Sequence, residues 1–261
     1  MNNILTIAGS DSSGGAGIQA DIKTIHRMGA HASIAVTAVT AQNSLGVTAI
    51  HTVPADIIVK QVEAVVADAF PRAVKIGMLK TADSVSTVAE LIERFGLKNV
   101  VLDPVIRAST GAWLLEPEAL GLFRDELLPR VHALTPNLAE ASALTGRPVE
   151  SRADAEEAAR TLKELGPDAV VTGGHLGGRC VDTLCDGEGL HRYSGSRLAT
   201  VFTHGSGCVF STALAASLGM GAGFREAVIR ARGVTRKALR QGYQLGAGPG
   251  VVNPLGTRTE A

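Results

Sequence analysis

Thr203-His204-Gly205-Ser206-Gly207-Cys208 stands directly before an apolar, helix-patterned run over residues 209–218. A glycine-rich turn that opens a helix aims several backbone N–H groups at one point, and the helix dipole adds partial positive charge there. The stretch therefore predicts an anion site at a loop-to-helix junction, with phosphate as the obvious guest. A thiol at such a helix N-terminus has a lowered pKa and can act as a base at neutral pH. An anion cradle with a built-in base is what phosphoryl transfer to an alcohol requires. The same residues also suit a plain turn with Cys208 as a small buried core residue. The rest of the chain has to decide between the two.

Upstream, short apolar runs alternate with helical patterns. Strands are expected at residues 4–8, 31–40, 47–53, 73–76, 99–102, 132–134 and 169–172. Helices are expected at 18–28, 54–69, up to Phe95 from a cap at Thr81 or Asp83, 117–128 and 153–165. Residues 181–184 and 190–193 suggest a hairpin around Asp186-Gly187-Glu188-Gly189. After Cys208 a second helix is expected at 225–243, and then an irregular glycine- and proline-rich tail at 246–256. This alternation describes a parallel α/β sheet with helices on both faces, in one domain spanning residues 1–261.

Loops at Gly9, Gln42, Asp103 and Gly173 all follow expected strands, so they gather at one sheet edge, where the turn before Cys208 can join them. Gly9-Ser10-Asp11-Ser12-Ser13-Gly14-Gly15-Ala16-Gly17 is flexible enough for close backbone approach to a ligand. It is neither a Walker A loop nor a clean G-x-G-x-x-G, which argues against a nicotinamide-binding dehydrogenase. Asp21 lies near the start of a helix, as a dipole partner or a substrate acceptor. Asp103, at a strand end, is a metal- or phosphate-site candidate or a loop cap. Asn137 and Glu140 have capping-box spacing.

Composition excludes several classes. Lys plus Arg and Asp plus Glu number 25 each, for a formal net charge of zero, which speaks against nucleic acid or an acidic membrane as the main partner. Apolar residues make up 45% and aromatics 3%, as suits small aliphatic side chains in a helix-covered parallel sheet. The three cysteines have no metal-ligand spacing. Cys180 and Cys185 could pair, but they suit small hydrophobes in a reduced protein better. No apolar run spans a bilayer and the first residues lack a basic signal start, so a cytoplasmic location is expected.

Taken in order, the motifs resemble the hydroxymethylpyrimidine/phosphomethylpyrimidine kinases of thiamine biosynthesis, in the ribokinase superfamily. They are residues 8–21 (Ala8-Gly9-Ser10-Asp11 through Gln19-Ala20-Asp21), Thr40-Ala41-Gln42-Asn43, Lys75-Ile76-Gly77-Met78-Leu79, Val101-Leu102-Asp103-Pro104-Val105, Thr135-Pro136-Asn137-Leu138-Ala139-Glu140, Gly173-Gly174-His175 and the turn ending at Cys208. The resemblance implies a ribokinase-like three-layer α/β/α sandwich with a mostly parallel central sheet, ATP and Mg²⁺, and a homodimer. It implies phosphorylation of 4-amino-5-hydroxymethyl-2-methylpyrimidine and then of its monophosphate.

By the same resemblance Cys208 is the base, and Gly205, Ser206, Gly207 and Cys208 form the anion hole. Gly9, Asp21, Gln42 and Met78 would bind the pyrimidine. A Gln amide and an Asp carboxylate match the adjacent donor and acceptor edges of an aminopyrimidine, and Met78 offers a soft surface to the ring. Asp103, Asn137, Thr172, Gly174 and Thr203 would face ATP and its phosphates. Asp103 and Glu140 would serve the metal, Glu140 through water. Three positions depart from the family pattern. Thr172 replaces a usual lysine, Arg107 carries the charge of a shifted Lys-Ser-Gly, and Ser206 replaces a more frequent Thr. Arg107 and Lys80 are the candidates to supply the missing cation. The alternatives are a pyridoxal or pyridoxine kinase, or a pyrimidine-binding protein that has lost ATP.

Overall fold

The computed structural model describes residues 1–108, 111–174 and 176–256. Ser109 and Thr110 of the loop after Arg107, and His175 of the Gly-Gly-His segment, lie outside the described residues. In chain order the elements begin with β1 (Asn3–Asp11), α1 (Gly17–Arg27), β2 (His31–Asn43), β3 (Gly46–Thr52), α2 (Ala55–Asp68), β4 (Ala73–Ile76), α3 (Ala82–Phe95) and β5 (Val100–Leu102). A one-turn α4 (Leu120–Leu122), β6 (Ala133–Leu134), α5 (Leu138–Thr145), α6 (Arg152–Glu164), β7 (Asp168–Val171), β8 (Cys180–Asp186) and β9 (Gly189–Gly195) follow. The chain then forms β10 (Phe202–His204), α7 (Ser206–Gly219), α8 (Phe224–Arg240) and β11 (Gly250–Val251).

Nine strands form one sheet in the order β3-β2-β1-β4-β5-β6-β7-β8-β9. The six central strands, β2 through β7 in that spatial order, pair in parallel. The β2–β3 pair at one edge, and β7–β8 and β8–β9 at the other, are antiparallel. This is the ribokinase-like three-layer sandwich with a mostly parallel sheet.

Side-chain alternation along each strand assigns the two faces. Leu5 and Ile7 of β1, Val74 and Ile76 of β4, and Val100 and Leu102 of β5 join the larger core, with side chains of α2, α3, α5 and α6. Ile4, Ala73 and Val101 point the other way, into the core shared with α7 and α8. Helix α7 is buried from Val209 to Gly219, which is why its sequence is apolar on every side.

Two expectations are corrected. Residues 117–130 do not form one α-helix. A 3₁₀ turn (Pro117–Ala119), α4, a π segment (Phe123–Leu127) and a second 3₁₀ turn (Leu128–Arg130) follow one another. Pro129 lacks an N–H and its ring crowds the carbonyl four residues back, and the Leu128 N–H reaches Phe123 O instead of an α-helical partner. The tail is not wholly irregular either. β11 pairs in parallel with β10 and so braces the segment that leads into Gly205.

Candidate active site

Chain order reverses across the sheet at β1, whose neighbours are β2 on one side and β4 on the other. Open α/β sheets bind ligands outside the strand C-termini at such a switch point. A cavity of about 290 Å³ opens there. It is lined by Gly9, Gln42, Met78, Asp103, Asn137, Glu140, Thr172, Thr203 and the turn Gly205 to Cys208, among others. The sequence-predicted residues from seven separate stretches thus meet in one cavity.

Gly205 caps α7 with φ +86, a left-handed conformation suited to glycine. A Cβ there would run into the carbonyl oxygen of Gly15. The first bond of the helix runs from Val209 N–H to Gly205 O at 3.0 Å. The amides of Ser206, Gly207 and Cys208 therefore lack a helical carbonyl and border the cavity.

Cys208 does not have the lowered pKa expected of a helix N-terminus. Burial pushes its thiol up to about 12, against the pull of Lys75; the carboxylates of Asp103 and Asp21 add to the rise, and a hydrogen bond from the Gly17 amide opposes it. Two neighbouring negative charges and desolvation outweigh the dipole. The thiol in turn holds the Asp103 pKa down, as does the Ser211 hydroxyl.

Asp21 is placed differently from the expectation. It is completely buried beneath the cavity and does not line it. Thr6 Oγ1 donates to Oδ2 at 2.6 Å, Thr212 Oγ1 donates to Oδ1 at 2.6 Å, and Lys75 Nζ donates to Oδ2 at 3.0 Å. Every partner is inside the protein. Lys75 does line the cavity, and sequence reasoning had assigned it no role. Its position on β4 was the available signal, since period-two alternation puts it on the α7 face between Val74 and Ile76, which point the other way.

Asp103 follows β5 and is buried, with Ser211 Oγ donating to Oδ2 at 3.0 Å. Burial raises its pKa, against the pull of Lys75. Asn137 and Glu140 form the capping box of α5, with Asn137 N–H to Glu140 Oε2 at 2.8 Å and Glu140 N–H to Asn137 Oδ1 at 3.0 Å. The Glu140 carboxylate is pushed up to about 8 by burial and by the charge of Asp103, against hydrogen bonds from the amides of Asn137 and Ile106. No cluster of three or more His, Cys, Asp or Glu side chains able to hold a metal is present among the described residues. Two buried carboxylates, one of which raises the other, fit a cation that keeps waters or phosphate oxygens in its shell, rather than one ligated by protein alone.

Gln42 Oε1 accepts from Thr40 Oγ1 at 3.2 Å. Met78 packs with Ala38 and Leu114, and a Cβ on Gly9 would touch its sulfur at 3.0 Å. Thr172 lines the cavity and bridges to Asn137. Gly174 does not line it; its carbonyl accepts from Arg197 Nη1 at 2.6 Å. Of the candidates to supply a missing cation, Arg107 lines the cavity. Lys80 does not, and pairs with Glu116 at 3.7 Å. Asp11 and His204 were missed as site residues, and both line the cavity.

The sequence profile described as phosphomethylpyrimidine kinase matches residues 11–253. A hydroxymethylpyrimidine/phosphomethylpyrimidine kinase of Rhizobium meliloti is 43% identical over 249 residues, covering 94% of this chain and 93% of that protein. A thiamine biosynthesis bifunctional protein of Geobacter sulfurreducens is 42% identical over 255 residues, 97% of this chain but 52% of its own length. Among solved structures, an ADP complex of Bacillus subtilis pyridoxal kinase superposes with a TM-score of 0.90 at 36% identity, covering 97% of each chain.

Proposed function

Because the chain belongs to the phosphomethylpyrimidine kinase family, we infer that its cavity carries out both transfers named in the relatives, to hydroxymethylpyrimidine and to its monophosphate in thiamine biosynthesis. The observation that carries this reading is the convergence of the Gly205–Cys208 amides, Gln42 and Met78 on one cavity. It brings a ring-binding wall and an anion cradle within one small volume.

In this reading Gln42 and Met78 hold the pyrimidine, and the amides of Ser206, Gly207 and Cys208 stabilise negative charge on the transferring phosphoryl group. The hydroxymethyl oxygen bonds to the γ-phosphorus as the bond from phosphorus to the leaving ADP oxygen breaks. The hydroxyl proton goes to the Cys208 sulfur, whose own proton passes to the neighbouring Asp103 carboxylate. Asp21 acts from below by holding Lys75. Asn137, Thr172 and Thr203 stand on the nucleotide side. Mg²⁺ carried by the nucleotide would be held through its waters by Asp103 and Glu140, and would supply charge neutralisation. We take residues 1–261 as one kinase domain, acting as a cytoplasmic homodimer. The three free thiols agree with a reducing compartment, and no helix among the described residues is long and apolar enough to cross a membrane.

A second reading, as a pyridoxal kinase, draws on the likeness to the Bacillus subtilis structure. Consumption of ATP with Mg²⁺, using hydroxymethylpyrimidine, its monophosphate and pyridoxal side by side, tests both. Turnover of both pyrimidines is the expected result. Turnover of pyridoxal alone would replace it with the second reading, and pyrimidine binding without any turnover would leave only a binding protein.

A further inference from the structure

Carboxylates outnumber available cations around the cavity, although its proposed ligands are phosphates. Asp11, Asp103 and Glu140 line it, opposed by Lys75, His204 and Arg107. Lys75 is fully buried and paired with Asp21 at 3.0 Å, and His204 is paired with Asp11 at 3.0 Å. Arg107 is exposed and enters no ion pair among the described residues.

The Arg107 side chain is nonetheless held in place. Its guanidinium carbon lies 3.6 Å from the centre of the Trp113 ring. Residues 107 and 113 face each other across an antiparallel bridge, framed by Ala108 N–H to Ala112 O at 2.9 Å and Leu114 N–H to Ile106 O at 2.9 Å. The base of this frame is anchored on both sides. Leu114 packs with Met78, and Ile106 is buried in the main core. Stacking engages the face of a guanidinium and leaves its in-plane N–H groups free, the arrangement that suits bidentate binding of phosphate.

We propose that Arg107, oriented by Trp113, is the residue of this cavity that receives a terminal phosphate of the bound substrates. The assignment rests on the kinase reading, in which the monophosphate acceptor and the nucleotide donor both end in a phosphate.

Trp113 is the only tryptophan, so its emission reports on this one spot. The protein and its Arg107→Ala and Arg107→Lys variants are titrated with phosphomethylpyrimidine, uncharged hydroxymethylpyrimidine, a non-hydrolysable ATP analogue with Mg²⁺, and pyrophosphate. Phosphate-bearing ligands are expected to change the emission, to bind Arg107→Ala about ten-fold or more weakly, and to recover in part with Arg107→Lys. The uncharged alcohol should bind Arg107→Ala within about two-fold of the parent, which also shows that the variant is folded. Weakening of the monophosphate alone assigns Arg107 to the acceptor's phosphate, and weakening of the nucleotide alone assigns it to the donor's. Unchanged affinity for every phosphate-bearing ligand overturns the proposal, as does an equal loss for the alcohol. Absence of turnover by the parent protein would sink the kinase reading, while the pyrophosphate titration would still decide the role of Arg107.

Discussion

His204 Nε2 lies 3.0 Å from Asp11 Oδ2, joining two residues 193 positions apart in the chain. The same carboxylate accepts from the amides of Ser13, Gly15 and Ala16 at 2.8, 3.2 and 2.9 Å. One side chain thus ties the first glycine loop to the turn that opens α7, and a Cβ at Gly15 would meet the His204 ring. The two loops form one wall of the cavity because of this contact.

Burial alone would raise the Asp11 pKa, but the hydrogen bonds from His204, Ser13 and Ala16 prevail and hold it at about 2, below its ordinary 3.8. A depressed carboxylate stabilises the fold above its unfolded pKa and loses that contribution as pH falls through the folded value. The protein should therefore lose on the order of 2 kcal/mol between about pH 4 and pH 2 from this group. Denaturant unfolding across that range should show a shallower decline in Asp11→Asn. Parallel curves for the two proteins would remove Asp11 as the source.

Lys75 and Asp21 are both completely buried and 3.0 Å apart. Lys75→Met leaves the Asp21 charge without its partner and should cost about 3–5 kcal/mol in chemical unfolding. Adding Asp21→Asn should restore part of that loss, so the double-mutant cycle should give a favourable coupling. Additive losses would mean that the pair does not act as a unit.

Cys208→Ala should slow phosphorylation of the alcohol by about 10²-fold or more, and slow the monophosphate step less, because the second nucleophile is already anionic. With its thiol pushed up to about 12, Cys208 should also resist alkylation at pH 8. Equal losses in both steps would assign Cys208 to shaping the turn rather than to taking the proton.

Gly205→Ala forces a Cβ against the Gly15 carbonyl at a positive φ. We expect a stability loss of about 2 kcal/mol or more and a fall in kcat that exceeds any change in pyrimidine binding. Wild-type kinetics in this variant would separate the turn from catalysis.

Gln42→Leu keeps the size of the side chain but removes its amide. The KM for hydroxymethylpyrimidine should rise about ten-fold while the KM for ATP stays close to that of the parent. A matching rise for ATP would place Gln42 in a structural role instead.

The local pattern of the chain was enough to read the alternating strands and helices, the capping box at Asn137 and Glu140, and the glycine turn before Cys208. Strand alternation, capping geometry and left-handed glycines are properties of a few consecutive residues, so they are visible without the fold. Pairings between distant residues are not. The β10–β11 contact, the Asp11–His204 bond and the burial of Asp21 under Lys75 each join segments that carry no mark of one another in the sequence. The Cys208 pKa belongs to the same class. Its helix position argues for a low value, but the assembled neighbours Asp103 and Asp21, together with desolvation, decide for a high one. Charge interactions and burial depend on three-dimensional distance, and only the folded chain sets those distances.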